Sequence, residues 1–183
     1  ATYFEEFKKT NKAELTFRDI LTHQAQLQSF IPFWLEPGSN KKIRSGVFRN
    51  QPSEKFQIRV SSELYARSDF KYQIIADIIK SPLRAQKEFH YSDLGFSLFP
   101  LVTERLTGTK FQEYLNVEFF HSLGAISTCF KPYERFPLEQ IIPTENDLTF
   151  RKELLTGFVH DELAALFVVV SGNAGLFSNA NDL

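Results

Sequence analysis

Two apolar stretches with helical spacing lie on either side of a polar break, and this arrangement constrains the fold more than any other feature of the chain. The first stretch runs from Tyr72 to Lys80, with isoleucines on adjacent turns, and Pro82 ends it. The second runs from Leu94 to Leu106, and Gly108 stands at the expected C-terminal cap. The sequence therefore predicts two helices joined by a polar segment.

The polar segment contains Tyr91, Ser92 and Asp93, directly before the second helix. Ser92 or Asp93 can cap that helix, which leaves Tyr91 in the irregular entry, where a phenol can point into a cleft. Taken by itself, this short pattern is more often a tyrosine packed at a helix start. Pro100 lies inside the second helix and is expected to kink it or split it.

The rest of the chain predicts a mainly α fold with a few short strands. Thr16 and Asp19 resemble a capping box for a helix that ends near His23, where the imidazole can bond a free carbonyl. Further helical patterns cover residues 3–9, 63–66, 111–120 and, weakly, 150–155, and short strands are expected at 55–60 and 140–142. Residues 163–170 fit a helix or a strand.

Composition narrows the class of protein. A chain of 183 residues forms one domain and can bury ~70% of the surface of its unfolded form. It has 20 phenylalanines and no methionine, so the core must be rich in aromatic rings. The net charge is −1, from 21 basic and 22 acidic residues, and gives no field that would attract nucleic acid. No apolar run approaches the ~20 residues of a membrane span.

Metal and cofactor sites are not predicted. Cys129 is the single cysteine, which excludes a disulfide within the chain and a metal site built from several thiolates. His160, Asp161 and Glu162 are of metal-ligating types, but adjacent residues rarely converge on one ion, so a turn with capping carboxylates is the preferred interpretation.

Residues 30–50 lack sustained periodicity and predict a long loop. Loops of this length in a compact domain are usually functional or mobile. Trp34 lies there beside a basic cluster and could line a substrate cleft, or it could fold the loop over the core. We include Trp34 among the candidate substrate-binding residues.

Three motifs in order resemble the penicillin-recognising serine hydrolases, the family of class C β-lactamases, DD-peptidases and related esterases. Tyr91-Ser92-Asp93 resembles the family's Tyr-x-Asn element, and residues 20–25 (ILTHQA) and 172–178 (GNAGLFS) resemble flanking stretches of the same family. Residues 134–138, 143–145 and 159–161 resemble a bacterial subgroup whose lactamase-like domain is joined to a family-three glycoside hydrolase.

The resemblance implies that residues 1–183 are the helical portion of a β-lactamase/transpeptidase-like α+β domain, truncated at both ends. The family's nucleophile motif is Ser-x-x-Lys at a helix start, but Ser39 and Lys42 lie in a loop after Pro37-Gly38 and follow the ILTHQA stretch. No Lys-Thr-Gly occurs. We therefore expect the nucleophile upstream, the closing strand downstream, and an inactive chain in isolation.

Residue roles carried over from the family are expectations. Tyr91 would stand near the nucleophile and contribute to proton transfer, and Asp93 would replace the motif's asparagine. Asn173 and Gly175 belong to a turn that would shape the cleft floor. An ionised aspartate accepts hydrogen bonds but donates none, so recognition of an acylamino β-lactam becomes less expected than ester or peptide hydrolysis.

Two departures from the family pattern place larger residues where glycine is usual. Gln26 follows the Thr-His-x-Ala run, and Val168-Val169 stand where the subgroup tends to have paired glycines. They could indicate decay of the active site.

The predicted function is acyl transfer or hydrolysis of an ester, peptide or β-lactam by the full-length protein, on a small-molecule or peptidoglycan-like substrate in the periplasm or cell envelope. The alternatives are a non-catalytic ligand-binding module beside a cell-wall glycosidase, or an unrelated helical interaction domain. If a sheet normally covers one side, the chain exposes an apolar patch through which it could form a homodimer.

Overall fold

The computed structural model describes residues 3–167 and 169–183. Helices account for 31% of the described residues and strands for 10%, so the prediction of a mainly α fold is wrong. Turns and loops make up the larger part, because most helices end after one or two turns. The segments 63–66 and 150–155, which were expected to be helical, contribute strands instead.

The helices are short and separated by turns. They are α1 (Phe17–Leu21), α2 (Phe70–Lys80), α3 (Phe99–Thr107), α4 (Phe111–Leu115), α5 (His121–Leu123) and α6 (Glu162–Leu166). Single 3₁₀ turns cover Glu5–Phe7, Phe96–Leu98, Pro132–Glu134 and Leu138–Gln140, and a π-helical turn, Asn116–Phe120, joins α4 to α5.

The strands form two small antiparallel sheets. In the first, β3 (Tyr65–Ala66) lies between β1 (Phe48–Arg49) and β2 (Ile58–Arg59), with Ala66 opposite both Phe48 and Ile58. In the second, β4 (Glu145–Asp147) pairs with β5 (Glu153–Leu155). The strand expected at 140–142 does not form, since Leu138–Gln140 makes a 3₁₀ turn.

Local capping signals correctly predict the start of α1 but not that of the second helix. That helix is predicted to begin at Leu94 with a Ser92 or Asp93 cap, whereas helical structure begins at Phe96 without a side-chain cap. The Thr16 side chain accepts from the Asp19 N–H while the Asp19 carboxylate accepts from the Thr16 N–H, which completes the capping box of α1. Pro100 splits its helix as expected: a 3₁₀ turn precedes α3, and Pro100 lies in the first turn of α3, where no N–H is needed.

The core is aromatic and surrounds α2. Phe33, Phe70, Ile74 and Leu94 are almost fully buried. Lys12 is also buried, at 1% exposure, and its ammonium group donates to the carbonyls of Ile79 and Ser81 at the end of α2. Burial lowers the pKa of Lys12, while the C-terminal carbonyls of the helix favour its positive charge.

Val169 has a φ of 63°, in the left-handed region that a β-branched residue rarely adopts. This is the conformation that glycine adopts without strain, which gives a physical reason for the glycine expected there from the resemblance. Its neighbour Val168, the other position of that pair, lies outside the described residues.

We expect Val169→Gly to be more stable than Val169→Ala by about 1 kcal/mol, because both variants lose the buried isopropyl group and only glycine relieves the backbone strain. At Val102, inside α3, the order should reverse, since glycine in a helix is about 1 kcal/mol worse than alanine. Urea denaturation of the four variants measures both differences. The same order at the two positions would contradict the argument.

Candidate active site

Residues 90–93, here called the Tyr91 segment, are hydrogen-bonded to the chain that follows α1. The His90 N–H donates to the His23 carbonyl at 2.8 Å, and the Ser92 N–H donates to His23 Nδ1 at 3.3 Å. The Ser92 hydroxyl donates to the Gln28 carbonyl at 2.7 Å. Tyr91 therefore stands between two anchored neighbours.

Gln26 strengthens the same junction. Its carbonyl accepts from the Arg84 N–H at 2.8 Å and its side-chain amide donates to the Arg84 carbonyl at 2.7 Å. Gln26 has a φ of 58°, again the conformation that glycine adopts most easily. Glutamine at this position is therefore strained in its backbone, but its side chain makes a hydrogen bond that glycine could not make.

The Tyr91 phenol is exposed and oriented. Tyr91 is 57% exposed, and its hydroxyl donates to Asp93 Oδ1 at 3.0 Å. This hydrogen bond and the charge of Asp93 raise the pKa of Tyr91 above its ordinary value. The phenol is therefore protonated at neutral pH and can pass a proton to the carboxylate behind it.

Asp93 lies in a partly buried, acidic environment. Burial is the largest influence and raises the pKa of Asp93 above its ordinary value, and the nearby charge of Asp161 adds to the rise. The Tyr91 hydroxyl, which donates to Asp93, and the nearby Asn173 amide oppose the rise. The carboxylate thus lies at the meeting point of the Tyr91 segment and the turn that contains Asn173.

Asn173 is held from two sides. Its Nδ2 donates to Asp161 Oδ1 at 3.1 Å, and its Oδ1 accepts from the Ser171 hydroxyl at 2.5 Å. Asp161 also caps α6 by accepting from the Ala164 N–H at 2.6 Å. The capping role of Asp161 follows from its sequence position, but no local signal indicates that it also contacts Asn173 and faces Asp93.

A close backbone approach brings this turn to the Tyr91 segment. A Cβ atom on Gly172 would lie 2.3 Å from the Phe96 carbonyl oxygen, so only glycine fits there. Gly175 has a φ of 103°, and a Cβ there would lie 3.2 Å from the Val169 carbonyl oxygen. Gly175 therefore closes the turn through its backbone.

Trp34 lies in the core, at 9% exposure. Its ring stacks on Phe150 with a centroid distance of 5.4 Å and meets Phe30 at 5.5 Å. Of the five candidate site residues, Tyr91 and Asp93 share a side-chain hydrogen bond, Asn173 bonds Asp161 near Asp93, and Trp34 lies where the loop packs over the core.

Ser39 makes a turn rather than a helix start. Its hydroxyl accepts from the backbone N–H groups of Lys41 and Lys42 at 3.2 and 2.9 Å. Within residues 3–167 and 169–183, no helix has the length and apolar character that crossing a membrane requires. Nor do those residues bring together three or more His, Cys, Asp or Glu side chains that could hold a metal ion.

Known proteins resemble the chain over most of its length. A proposed D-alanyl-D-alanine carboxypeptidase of Escherichia coli K12 is 34% identical over 138 residues, which cover 68% of this chain and 31% of that protein. An N-acetylmuramyl-L-alanine amidase of Bacillus subtilis is 28% identical over 186 residues, or 94% of this chain and 37% of that protein. The chain thus spans about a third of the length of these curated relatives.

Solved structures share the fold at low sequence identity. A beta-lactamase/D-alanine carboxypeptidase from Pseudomonas syringae has a TM-score of 0.51 at 16% identity, covering 99% of this chain and 39% of that one. A D-amino acid amidase from Ochrobactrum anthropi has a TM-score of 0.54 at 17% identity, covering 96% and 43%. The family model described as Beta-lactamase matches residues 1–183. This chain therefore belongs to the beta-lactamase family.

Proposed function

We propose that residues 1–183 form one wall of the active site of a longer serine hydrolase, which transfers or hydrolyses the acyl group of a peptide, amide or ester. One observation carries the proposal. The exposed Tyr91 phenol donates to the Asp93 carboxylate, which lies near Asn173 in the separate turn of residues 172–175. The nucleophilic serine and the closing strand would belong to parts of the protein outside residues 1–183.

The Tyr91–Asp93 pair suits the proton transfers of acyl transfer. The serine O–H bond would break as its oxygen attacks the carbonyl carbon, and the proton would pass to the Tyr91 oxygen while the phenol's own proton moves to Asp93. On collapse of the tetrahedral intermediate, the proton would return through Tyr91 to the leaving group. Tyr91 is suited to this route because its hydroxyl already donates to Asp93 at 3.0 Å.

A peptidoglycan-like substrate is supported by the names of the relatives, a D-alanyl-D-alanine carboxypeptidase and an N-acetylmuramyl-L-alanine amidase. The same names support a place in the periplasm or cell envelope. Asp93 would select among such substrates, because a carboxylate accepts from a substrate N–H and cannot donate to an acylamino carbonyl. The fused glycoside hydrolase stays a prediction that the sequence of the longer gene product would check.

Active-site labelling tests the proposal. The full-length protein and the isolated 1–183 chain would each be treated with a fluorophosphonate probe, with heat-denatured full-length protein as the control. We expect covalent labelling of a serine outside residues 1–183 in the native full-length protein only. Labelling of a serine within 1–183 would contradict the proposal. A full-length protein that is not labelled would favour the non-catalytic ligand-binding module.

A further inference from the structure

His23 contacts both neighbours of Tyr91. It directly follows α1 and Thr22, and its φ of 54° places it in the left-handed region. Its carbonyl accepts from the N–H before Tyr91, that of His90, and its Nδ1 accepts from the N–H after it, that of Ser92. A single residue thus fixes the backbone on both sides of the phenol.

The imidazole ring also packs against the phenol itself. The centroids of the His23 and Tyr91 rings are 4.6 Å apart at an interplanar angle of 38°, and Phe96 stacks on the imidazole at 5.1 Å. Phe89 meets the imidazole edge-on at 5.7 Å. More than half of Tyr91 is exposed, and the imidazole is one of the surfaces against which its ring packs.

The hydrogen bonds define the neutral tautomer of His23 that this arrangement needs. Nδ1 accepts from the Ser92 N–H, so the ring proton of the neutral imidazole lies on Nε2. The ring therefore has two separable functions, an acceptor for the backbone and a flat surface for the phenol. Phenylalanine at this position would keep the surface and lose the acceptor, and alanine would lose both.

We infer that His23 is a positioning residue, which holds the Tyr91 phenol in reach of Asp93 and of the substrate. The catalytic part of this inference rests on the proposed function, whereas the placement of the phenol does not. A displacement of a reacting group by about 1 Å can cost about 10²-fold in rate, so loss of both contacts should be costly even though His23 touches no substrate.

Two measurements on the full-length protein test this inference. In steady-state kinetics with a chromogenic peptide or ester, we expect His23→Phe to lower kcat about 10-fold and His23→Ala about 100-fold, with KM changed less than about 2-fold. His121→Ala, on α5 and exposed, is the matched control and should keep wild-type kinetics. An unchanged kcat in a folded His23→Ala variant would overturn the inference.

The second measurement does not depend on activity. With 3-fluorotyrosine incorporated, the ¹⁹F resonance of Tyr91 is assigned by its disappearance in Tyr91→Phe, and it should shift in both His23 variants while the resonances of other tyrosines stay in place. A Tyr91 resonance unchanged in His23→Ala would overturn the positioning role. If the wild-type protein has no hydrolase activity, the proposed function fails, and the fluorine spectrum still decides whether His23 places the phenol.

Discussion

Asp147→Asn is expected to destabilise the fold by about 3–5 kcal/mol, because it removes the nearer carboxylate of the buried Arg151 guanidinium and leaves only the more distant one of Glu145, at 3.6 Å. The two side chains are 2% and 0% exposed and pair at 2.7 Å. Asp147 also accepts from the backbone N–H groups of Thr149, Phe150 and Arg151 at 2.9 to 3.0 Å. The side-chain NH₂ group of asparagine would face either the Arg151 guanidinium or the backbone N–H groups, all of which are donors. Hydrogen bonds are therefore lost together with the charge.

This pair also supports the candidate site. Arg151 donates to the carbonyls of Val159 and His160 at 2.7 and 2.5 Å, and these residues directly precede Asp161. Loss of the pair should therefore loosen the start of α6 and the contact between Asp161 and Asn173. Faster hydrogen exchange of the amides at 161–166 in Asp147→Asn is the expected sign.

The stability contributed by Asp147 should depend on pH in the acid range. Burial opposes its ionisation, but Arg151 and the three backbone donors outweigh burial and hold the pKa of Asp147 well below its ordinary value. With a lowered pKa in the folded state, the contribution is complete above the unfolded value of about 3.9 and is lost as the pH falls below it. The wild-type urea midpoint should therefore fall more steeply below about pH 4 than that of Asp147→Asn.

Urea denaturation followed by circular dichroism measures the loss, and Asp69→Asn is the matched control. Asp69 pairs with Arg67 on the surface, so this variant should unfold at the wild-type urea concentration. If Asp147→Asn does not fold, the double variant Asp147→Asn with Arg151→Met leaves no unpaired buried guanidinium and keeps an oxygen that can accept from the backbone N–H groups. It should be more stable than Asp147→Asn. A loss below about 1 kcal/mol in the single variant would show that the pair is not important for stability.

The accuracy of the sequence predictions depends on how local each signal is. The start of α1 and the end of α2 follow from Thr16, Asp19 and Pro82, whose effects act within one helical turn. Strands β3 and β5 were missed because their hydrogen bonds come from other segments: Ala66, for example, pairs with both Phe48 and Ile58. Such pairing overrides the weak local preference of a two- or three-residue segment.

Local sequence signals also fail to predict the long-range contacts of the candidate site. Motif resemblance predicts site roles for Tyr91, Asp93 and Asn173, and these roles stay predictions, although the three residues lie near one another. Trp34 has a sequence context that fits a cleft as well as a core, and its burial depends on Phe150, far along the chain. His23 has a capping position whose local signal does not reveal contacts with the segment around Tyr91.

Tyr91→Phe in the full-length protein is expected to slow acylation by about 10²–10⁴-fold with little change in substrate affinity. The variant removes the proton carrier and keeps the aromatic ring that packs on His23. Tyr72→Phe, on α2 and 65% exposed, is the matched control, because it removes a hydroxyl outside the proposed proton route. Single-turnover labelling by a chromogenic ester or a fluorophosphonate gives the rate. Acylation within about threefold of wild type would exclude Tyr91 from proton transfer.

The variant Asp93→Asn tests the transfer of the Tyr91 proton separately from the position of the phenol. An asparagine oxygen can still accept from the Tyr91 hydroxyl, now 3.0 Å from the carboxylate, so the phenol should keep its place. An amide is not basic enough to take the proton, however, and its N–H₂ group can donate to a substrate carbonyl. Asp93→Asn should therefore slow hydrolysis of a peptide substrate while it strengthens binding of an acylamino cephalosporin. If neither the hydrolysis of the peptide nor the binding of the cephalosporin changes, Asp93 acts only through the position of Tyr91, which asparagine preserves.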